Sequence, residues 1–271
     1  MKSQSGISLE KSSTGKLSIV VIGGTGRVGT RLVKTLRAKG HEVLAASPST
    51  GVDTITKMGL KEALIGADVV VDVTQSPSFE PKAVLEFFQQ SGRHLLAAEA
   101  RAGIAHHVAL SVVGTDRMLE SGYFRGKMAQ ENLITSSTVP YTIVRATQFF
   151  EFAAAIAGSA TTGNEVRLPH TVLQPMSSDD LVAALAEIVI APPQNGIVDV
   201  AGPEEIHMDD FVRQFLTASG DERKVVTDAK AKYFGAVVDR HSLTPGKRAL
   251  YGSTRFTDWL EHAMPKAKAA R

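Results

Sequence analysis

The chain has 271 residues, of which 43% are hydrophobic and 21% are charged, a composition that excludes disorder throughout the chain. Thirty basic residues nearly balance 28 acidic ones and leave a formal charge of +2, so we expect no nucleic-acid-binding arm. The absence of cysteine excludes disulfide scaffolds, thiolate zinc sites and a cysteine nucleophile.

The N-terminal residues 1–16 are polar and rich in serine, and they lack the apolar stretch of a signal peptide. We interpret them as a disordered leader. No apolar run approaches the ~18 residues of a membrane span. These patterns predict a cytoplasmic protein with no membrane partner. At about 150 residues per domain, the remaining length allows one large domain with an appended lobe.

Short β-branched runs alternate with helical patterns through the first half of the chain. Strands separated by helices indicate βαβ units, a parallel sheet and right-handed crossovers. The predicted strands cover 17–22, 41–46, 67–73, 106–113 and 141–144, and the predicted helices cover 27–39, 54–65, 81–98 and 123–136.

The pattern changes after about residue 149. An apolar, Ala-rich stretch at 149–160 is followed by a short strand with loops at 166–174. A helix at 178–190, a strand at 197–201, and helices and loops over 205–260 come next, and a basic tail ends the chain at 265–271. We therefore predict a sheet domain formed by 17–148 plus 178–201. A smaller lobe, 149–177 plus 202–271, would cover the carboxyl edge of the sheet, where open α/β sheets bind ligands.

Three glycines join the first strand to the first helix with the spacing Gly-x-x-Gly-x-x-Gly. Gly23 allows a sharp turn, Gly26 allows backbone to approach a pyrophosphate, and Gly29 allows close packing of the helix on the sheet. The free N–H groups at the helix start attract an anion. A merely tight turn would not need three glycines at this spacing, so the loop predicts a dinucleotide-binding, Rossmann-type domain.

The segment after the second strand favours NADP(H) over NAD(H). NAD-binding proteins usually place an acid about 20 residues after the loop, where it holds the ribose 2′-hydroxyl. This sequence reaches its first acid only at Asp53. The hydroxyls of Ser47, Ser49 and Thr50 and the guanidinium of Arg27 would instead suit a 2′-phosphate. The alternative for Arg27 is a solvated surface charge.

Tyr123 and Lys127 lie four residues apart on one face of the fourth helix, after a strand that ends near Ser111. Hydride transfer to a carbonyl leaves an alkoxide, and a tyrosine whose pKa is lowered by a nearby ammonium can protonate it. Lys127 would also hold the nicotinamide ribose, and Ser111 would polarise the carbonyl. The alternatives are a surface aromatic, a solvated lysine and a strand-end hydroxyl.

At this point the chain resembles the atypical short-chain dehydrogenases/reductases of the NmrA-like NAD(P)-binding type. The resemblance extends over nearly the whole chain after residue 16. It rests on VVIGGTGRVG at 20–29, IGADVVVDVTQSPS at 65–78, HHVALSVVGTD at 106–116, YFRGKMAQENL at 123–133, VPYTIVRATQFFEF at 139–152, SSDDLVAAL at 177–185 and VAGPEEI at 200–206.

The resemblance implies an α/β fold, a Rossmann-type doubly wound parallel sheet with a small C-terminal substrate lobe. It also implies that loops after the strands line the dinucleotide, with Asp53 near the adenine. The implied contacts are Thr25, Gly26, Arg27 and Val28; Ser47, Ser49 and Thr50; Val73, Thr74, Gln75 and Ser76; Ser111, Val112 and Val113; Lys127; and Arg145, Ala146, Thr147, Gln148 and Phe149.

Other residues allow weaker predictions. Phe149 and Phe152 would form an apolar wall of a substrate pocket, with ordinary core packing as the alternative. We expect Glu131 to form a structural pair on the fourth helix. The histidines lack ligand spacing with carboxylates, so we predict no metal site.

The sequence therefore predicts an NAD(P)(H)-dependent oxidoreductase that reduces a small carbonyl, quinone or enone, with Tyr123 as proton donor. One alternative is an NAD(P)-sensing regulatory protein without catalysis, although a sensor would not need the Ser, Tyr and Lys set. Another is a sugar-nucleotide epimerase or dehydratase. The expected partner is a small-molecule substrate, with no nucleic acid, and a homo-oligomer is left open.

Overall fold

The computed structural model describes residues 15–264, so the predicted tail and nearly all of the predicted leader lie outside the described residues. The strands are β1 (Ser18–Ile22), β2 (Glu42–Ala46), β3 (Val69–Asp72), β4 (His106–Val112), β5 (Tyr141–Ala146), β6 (Thr161–Thr162), β7 (Glu165–Leu168), β8 (Val172–Leu173), β9 (Gly196–Ala201), β10 (Ile206–His207), β11 (Lys224–Thr227) and β12 (Ala249–Tyr251). The α-helices are α1 (Arg27–Ala38), α2 (Leu60–Ala63), α3 (Pro81–Ala102), α4 (Gly122–Thr135), α5 (Ala153–Ser159), α6 (Ser178–Ile190), α7 (Met208–Ser219) and α8 (Phe256–Ala263).

A seven-stranded sheet forms the centre of the molecule, in the order β12-β9-β5-β4-β3-β1-β2. All its neighbouring strands pair in parallel. The chain order reverses direction between β1 and β3, which is the switch point where open α/β sheets bind ligands. The predicted doubly wound, Rossmann-type α/β fold is confirmed.

Both faces of this sheet are covered by apolar side chains, which explains why β1 reads as an uninterrupted apolar run. Val21 on one face belongs to a core shared with Leu32 of α1 and Leu185 of α6. Val20 on the other face belongs to a core shared with Leu95 of α3. The two layers of helices hold the carboxyl ends of the strands at one edge.

A second core lies in the smaller lobe. Phe256 packs there against two other rings. The centroid of Phe211 lies 4.4 Å from that of Phe256, and the centroid of Phe150 lies 5.1 Å from it. Two small sheets, β10-β8 and β11-β7-β6, complete this lobe. It therefore has an apolar core of its own beside the carboxyl edge of the central sheet.

Three local features differ from the sequence patterns. The helix expected at 54–65 is reduced to α2, because Lys57 and Gly59 adopt positive φ and interrupt it. The strand expected within 166–174 splits into β7 and β8 around Pro169, which lacks a backbone donor. Strand β12 pairs with β9 and extends the central sheet, although its residues fall in the segment predicted to form the lobe.

Candidate functional site

A cavity of about 1060 Å³ opens at the carboxyl edge of the sheet, between the sheet and the lobe. Most of the predicted site residues line it. They are Gly23, Thr25, Gly26, Arg27, Val28, Gly29, Ser47, Asp53, Val73, Thr74, Gln75, Ser111, Val112, Tyr123, Lys127, Ala146, Thr147, Gln148, Phe149 and Phe152.

The glycine loop has the geometry that its spacing predicts. Gly23 has a φ of 82°, which an L side chain rarely adopts, and this turns the chain off β1. A Cβ on Gly29 would lie 2.2 Å from the Gly23 carbonyl oxygen, so only glycine permits this contact of helix and loop. The loop thus brings the start of α1 to the cavity.

The N-terminus of α1 suits an anion. The N-cap residue of α1 is Gly26, and no side chain among the described residues accepts a hydrogen bond from the first N–H groups of the helix. The first turn also contains no acidic residue. Free N–H groups and the helix dipole favour a negative group at such an end. Arg27 adds a cation at the same wall. The carboxylate of Asp53, on the same cavity, accepts the Ile55 N–H at 2.7 Å and is therefore engaged in its own turn.

Five residues that the resemblance placed on the dinucleotide do not line the cavity. Thr50 uses its hydroxyl to bond the Ser47 N–H at 2.8 Å, and Ser49 is exposed. Ser76 is buried and accepts the Ser78 N–H, Val113 packs in the interior, and Arg145 lies in a buried ion pair. The predicted contacts of these five residues with the dinucleotide therefore stay predictions that the cavity lining does not include.

Tyr123 reaches the cavity from the first turn of α4. Its hydroxyl donates to Oε1 of Gln75 at 3.2 Å. Burial raises the pKa of Tyr123 to about 12, although the Gln75 hydrogen bond opposes this. The expected lowering of this pKa by Lys127 is therefore wrong: desolvation of the phenolate dominates. The phenol is protonated at neutral pH.

Lys127 lies one turn further along α4 and is only 2% exposed. Its ammonium donates to the Leu110 carbonyl at 2.7 Å and also to Oε1 of Gln130. Burial lowers the pKa of Lys127 to about 8, while Asp72 and Glu131 act in the opposite direction. An ammonium has three donors, so one donor is left for a ligand in the cavity.

Ser111 differs from the predicted carbonyl polariser. Its hydroxyl donates to Oε1 of Glu131 at 2.5 Å, and a hydroxyl has one proton to give. The same carboxylate pairs with Arg145 at 2.6 Å, and Arg145 also contacts Asp116 at 2.9 Å. Glu131 thus forms the expected structural pair. The Ser111 hydroxyl thus donates to this buried network, although the residue also lines the cavity.

Gln148 is a buried polar residue that lines the cavity. It is only 5% exposed, and among the described residues neither its amide nitrogen nor its amide oxygen makes a hydrogen bond of good geometry. The amide nevertheless lies close enough to the Tyr233 hydroxyl to lower the pKa of Tyr233, against the larger effect of burial, which raises that pKa. Buried polar groups are seldom left without partners, so a polar group bound in the cavity would complete the hydrogen bonding of this amide. The residues present therefore fit a dinucleotide and a polar substrate atom.

Aromatic side chains line the part of the cavity near the lobe. Phe149 and Phe152 are there as predicted, with Phe79, Phe87, Phe124, Tyr233 and Phe234 in addition. These additional aromatics were not identified from the sequence. Phe234 lies 82 residues after Phe152 in the sequence, so local periodicity carries no signal for their contact.

Few of the residues that line the cavity are charged. Among the described lining residues, only Arg27, Asp53 and Lys127 carry a charge. Arg27 is the first residue of α1, Asp53 follows β2, and Lys127 lies one turn along α4 from Tyr123. The charged side chains are therefore found both at the glycine loop and near Tyr123.

The described residues also bear on the predictions of no membrane partner and no metal site. Over residues 15–264, no helix is both long and apolar enough to cross a membrane. The same residues contain no group of three or more His, Cys, Asp or Glu side chains arranged to hold a metal ion.

Comparisons with known proteins agree with a dinucleotide-binding site at this cavity. A family model described as NAD(P)H-binding matches residues 23–192. The photosystem II assembly factor Ycf39 of Cyanophora paradoxa is 23% identical over 229 residues, covering 77% of this chain and 71% of that protein.

Solved structures share the fold at low identity. An NADPH-dependent quinone oxidoreductase from Escherichia coli superposes with a TM-score of 0.65 at 16% identity, over 90% of this chain and 99% of the other. A dTDP-4-dehydrorhamnose reductase from Bacillus anthracis, in complex with NADP, gives 0.67 at 14% identity, over 93% and 98%. The family model covers more than half of the chain, and the glycine loop and the uncapped start of α1 agree with it, so the chain belongs to the NAD(P)H-binding family.

Proposed function

We propose that this protein is an NADP(H)-dependent oxidoreductase that reduces the carbonyl group of a small, uncharged, planar substrate such as a quinone or an enone. One observation carries the proposal. A single cavity joins a phosphate-binding loop to an aromatic end, with the protonated phenol of Tyr123 lining it.

The residues around the glycine loop would hold the cofactor. The first-turn N–H groups of α1 would bind the pyrophosphate, and the remaining donor of Lys127 would bind the nicotinamide ribose. The guanidinium of Arg27, on the same wall of the cavity, supports a 2′-phosphate. These contacts favour NADP(H) over NAD(H).

When bound, the cofactor supplies a hydride to the carbonyl carbon of the substrate. Tyr123 donates its phenolic proton to the carbonyl oxygen, which yields an alcohol, and the phenolate recovers a proton from solvent. With a pKa of about 12, the phenol is fully protonated at neutral pH and is still a stronger acid than an alcohol. The amide of Gln148, which makes no hydrogen bond of good geometry among the described residues, would orient the polar ligand atom.

The substitution Tyr123→Phe tests this mechanism. It removes the proton donor but keeps the ring, so kcat with NADPH and a quinone should fall at least about 100-fold. The Kd of NADPH should change less than about twofold. The measurement is NADPH oxidation by absorbance, with calorimetry for binding.

The matched control is Tyr251→Phe, because Tyr251 is 44% exposed on β12 and does not line the cavity. It should retain wild-type turnover. Equal turnover in Tyr123→Phe and the wild type would remove Tyr123 from the proposed reaction.

A second candidate function is an NAD(P)-sensing regulator. The commitment of the Ser111 hydroxyl to Glu131 favours it, as does the similarity to an assembly factor. A sensor must bind the oxidised and reduced cofactor with different affinity, since a ligand shifts an equilibrium only through differential affinity. A large difference in Kd between NADP⁺ and NADPH, together with no turnover of quinones or enones, would select this function.

A sugar-nucleotide epimerase or dehydratase is less well supported. Such an enzyme must bind a substrate diphosphate in addition to the dinucleotide, and among the described residues that line the cavity only Arg27 and Lys127 are cationic.

A further inference from the structure

A two-residue hairpin turn stands on the lobe side of the cavity. Tyr233 and Ala236 exchange both backbone hydrogen bonds, at 2.9 and 3.0 Å, and Phe234 and Gly235 form the tip. The φ angles at the tip are 45° and 85°. This is the geometry of a type I′ turn, in which Asn-Gly and Gly-Gly are the favoured tips.

Phe234 is an unusual residue for the first tip position. A bulky side chain rarely adopts positive φ, and the conformation persists only where the surroundings impose it. Here the turn is anchored on both sides. The Tyr233 side chain is buried in the core of the lobe, and the Val237 N–H donates to the Glu120 carboxylate at 3.1 Å.

Packing within the protein does not explain why a phenylalanine occupies this tip position. The Phe234 ring centroid lies 5.6 Å from that of Phe152 and 4.8 Å from that of Tyr233. Phe234 is nevertheless 39% exposed, so it gains only part of the free energy that burial of a phenylalanine would give. Phe234 is among the residues that line the cavity. Strained residues of this kind cluster at ligand clamps.

We propose that Phe234 and Phe152 form an aromatic clamp against which the planar ring of the substrate stacks, and that Phe234 determines specificity for such rings. Aromatic faces favour offset or edge contact with another ring, and both Phe152 and Phe234 line the cavity. The clamp depends on the proposed function for the identity of its substrate, but binding of a ring can be measured without turnover.

The substitution Phe234→Asn distinguishes a role of Phe234 in ligand stacking from a role in the stability of the turn. It creates the favoured Asn-Gly tip, so Tm should stay the same or rise. It also removes the ring, so the Kd of 1,4-naphthoquinone, measured by calorimetry, should rise about tenfold. The Kd of NADPH should not change, because the cofactor is held at the opposite wall.

Two control variants sharpen the test. Phe234→Tyr keeps an aromatic ring and should bind the quinone as the wild type does. Val237→Asn changes an exposed neighbour outside the cavity lining and should have no effect.

Three outcomes would overturn the clamp: unchanged quinone affinity in Phe234→Asn, an equal loss in Phe234→Tyr, or no quinone binding by the wild type. Failure of the proposed function is a different outcome. Quinone binding that depends on the ring at residue 234, without NADPH oxidation, would support the clamp and contradict the reductase.

Discussion

His106 and His107 are adjacent in sequence, but strand alternation sends their side chains to opposite faces of β4. His106 contacts the Thr142 hydroxyl at 2.9 Å, whereas His107 contacts the Glu99 carboxylate at 2.8 Å. Burial, followed by the neighbouring His107, lowers the pKa of His106 to about 4. Burial alone would also lower the pKa of His107, but Glu99 outweighs it and raises this pKa. His106 is therefore neutral at pH 7, whereas Glu99 shifts the pKa of His107 in the opposite direction.

The lowered pKa of His106 predicts loss of stability in mild acid. Between about pH 6.5 and pH 4 the unfolded chain binds a proton that the folded chain does not, so stability falls as the pH falls through this window. From pH 7 to pH 5 the contribution of His106 is about 2 kcal/mol. Urea unfolding at both pH values should show a smaller decrease for His106→Gln than for the wild type. Identical decreases would mean that His106 does not carry this pH dependence.

The element that the sequence describes most completely is the unit β1, glycine loop and α1. Its strand, turn and helix arise from neighbouring residues, so local pattern and tertiary contact agree. Helix α6 behaves similarly, since the Ser177 hydroxyl caps its start by accepting the Asp179 N–H at 3.1 Å. The helix expected at 54–65 was wrong over most of its length because positive φ at Lys57 and Gly59 interrupts the pattern.

The glycine loop predicts a contrast between two helical glycines. Gly29→Ala places a Cβ 2.2 Å from the Gly23 carbonyl oxygen, whereas a Cβ on Gly158 in α5 meets nothing within 4 Å. Gly29→Ala should lower the free energy of unfolding by about 2 kcal/mol and weaken NADPH binding strongly. Gly158→Ala should be neutral or stabilise by up to about 1 kcal/mol. Denaturant unfolding and NADPH titration measure both; wild-type NADPH affinity in Gly29→Ala would contradict the loop assignment.

At the scale of the whole molecule, the sheet and the lobe are connected repeatedly. The chain leaves the sheet after β5, returns for α6 and β9, and returns again for β12. The cavity is lined by both parts, with the glycine loop on one side and Tyr233 and Phe234 on the other. A ligand there stabilises the folded arrangement of both parts together.

This arrangement predicts one cooperative thermal transition that shifts with cofactor. NADPH at about 100 times its Kd should add about 2.7 kcal/mol to the free energy of unfolding. At equal concentration NADH should add less, because it lacks the 2′-phosphate. Scanning calorimetry measures both. Two transitions, of which only one moves with NADPH, would show that sheet and lobe unfold separately, and an equal shift with NADH would contradict the NADP preference.

The parallel α/β sheet, the phosphate loop and the NAD(P)-binding family were predictable from the sequence, because neighbouring residues encode each of them in a local pattern. The chemistry of the site depends on tertiary contacts. The pKa of Tyr123 is set by burial and by Gln75, which lies 48 residues away. The Ser111 hydroxyl donates its hydrogen bond to Glu131, and Phe234 adds an aromatic ring to the cavity lining. These effects depend on distances and desolvation between segments far apart in the chain, which no local pattern records.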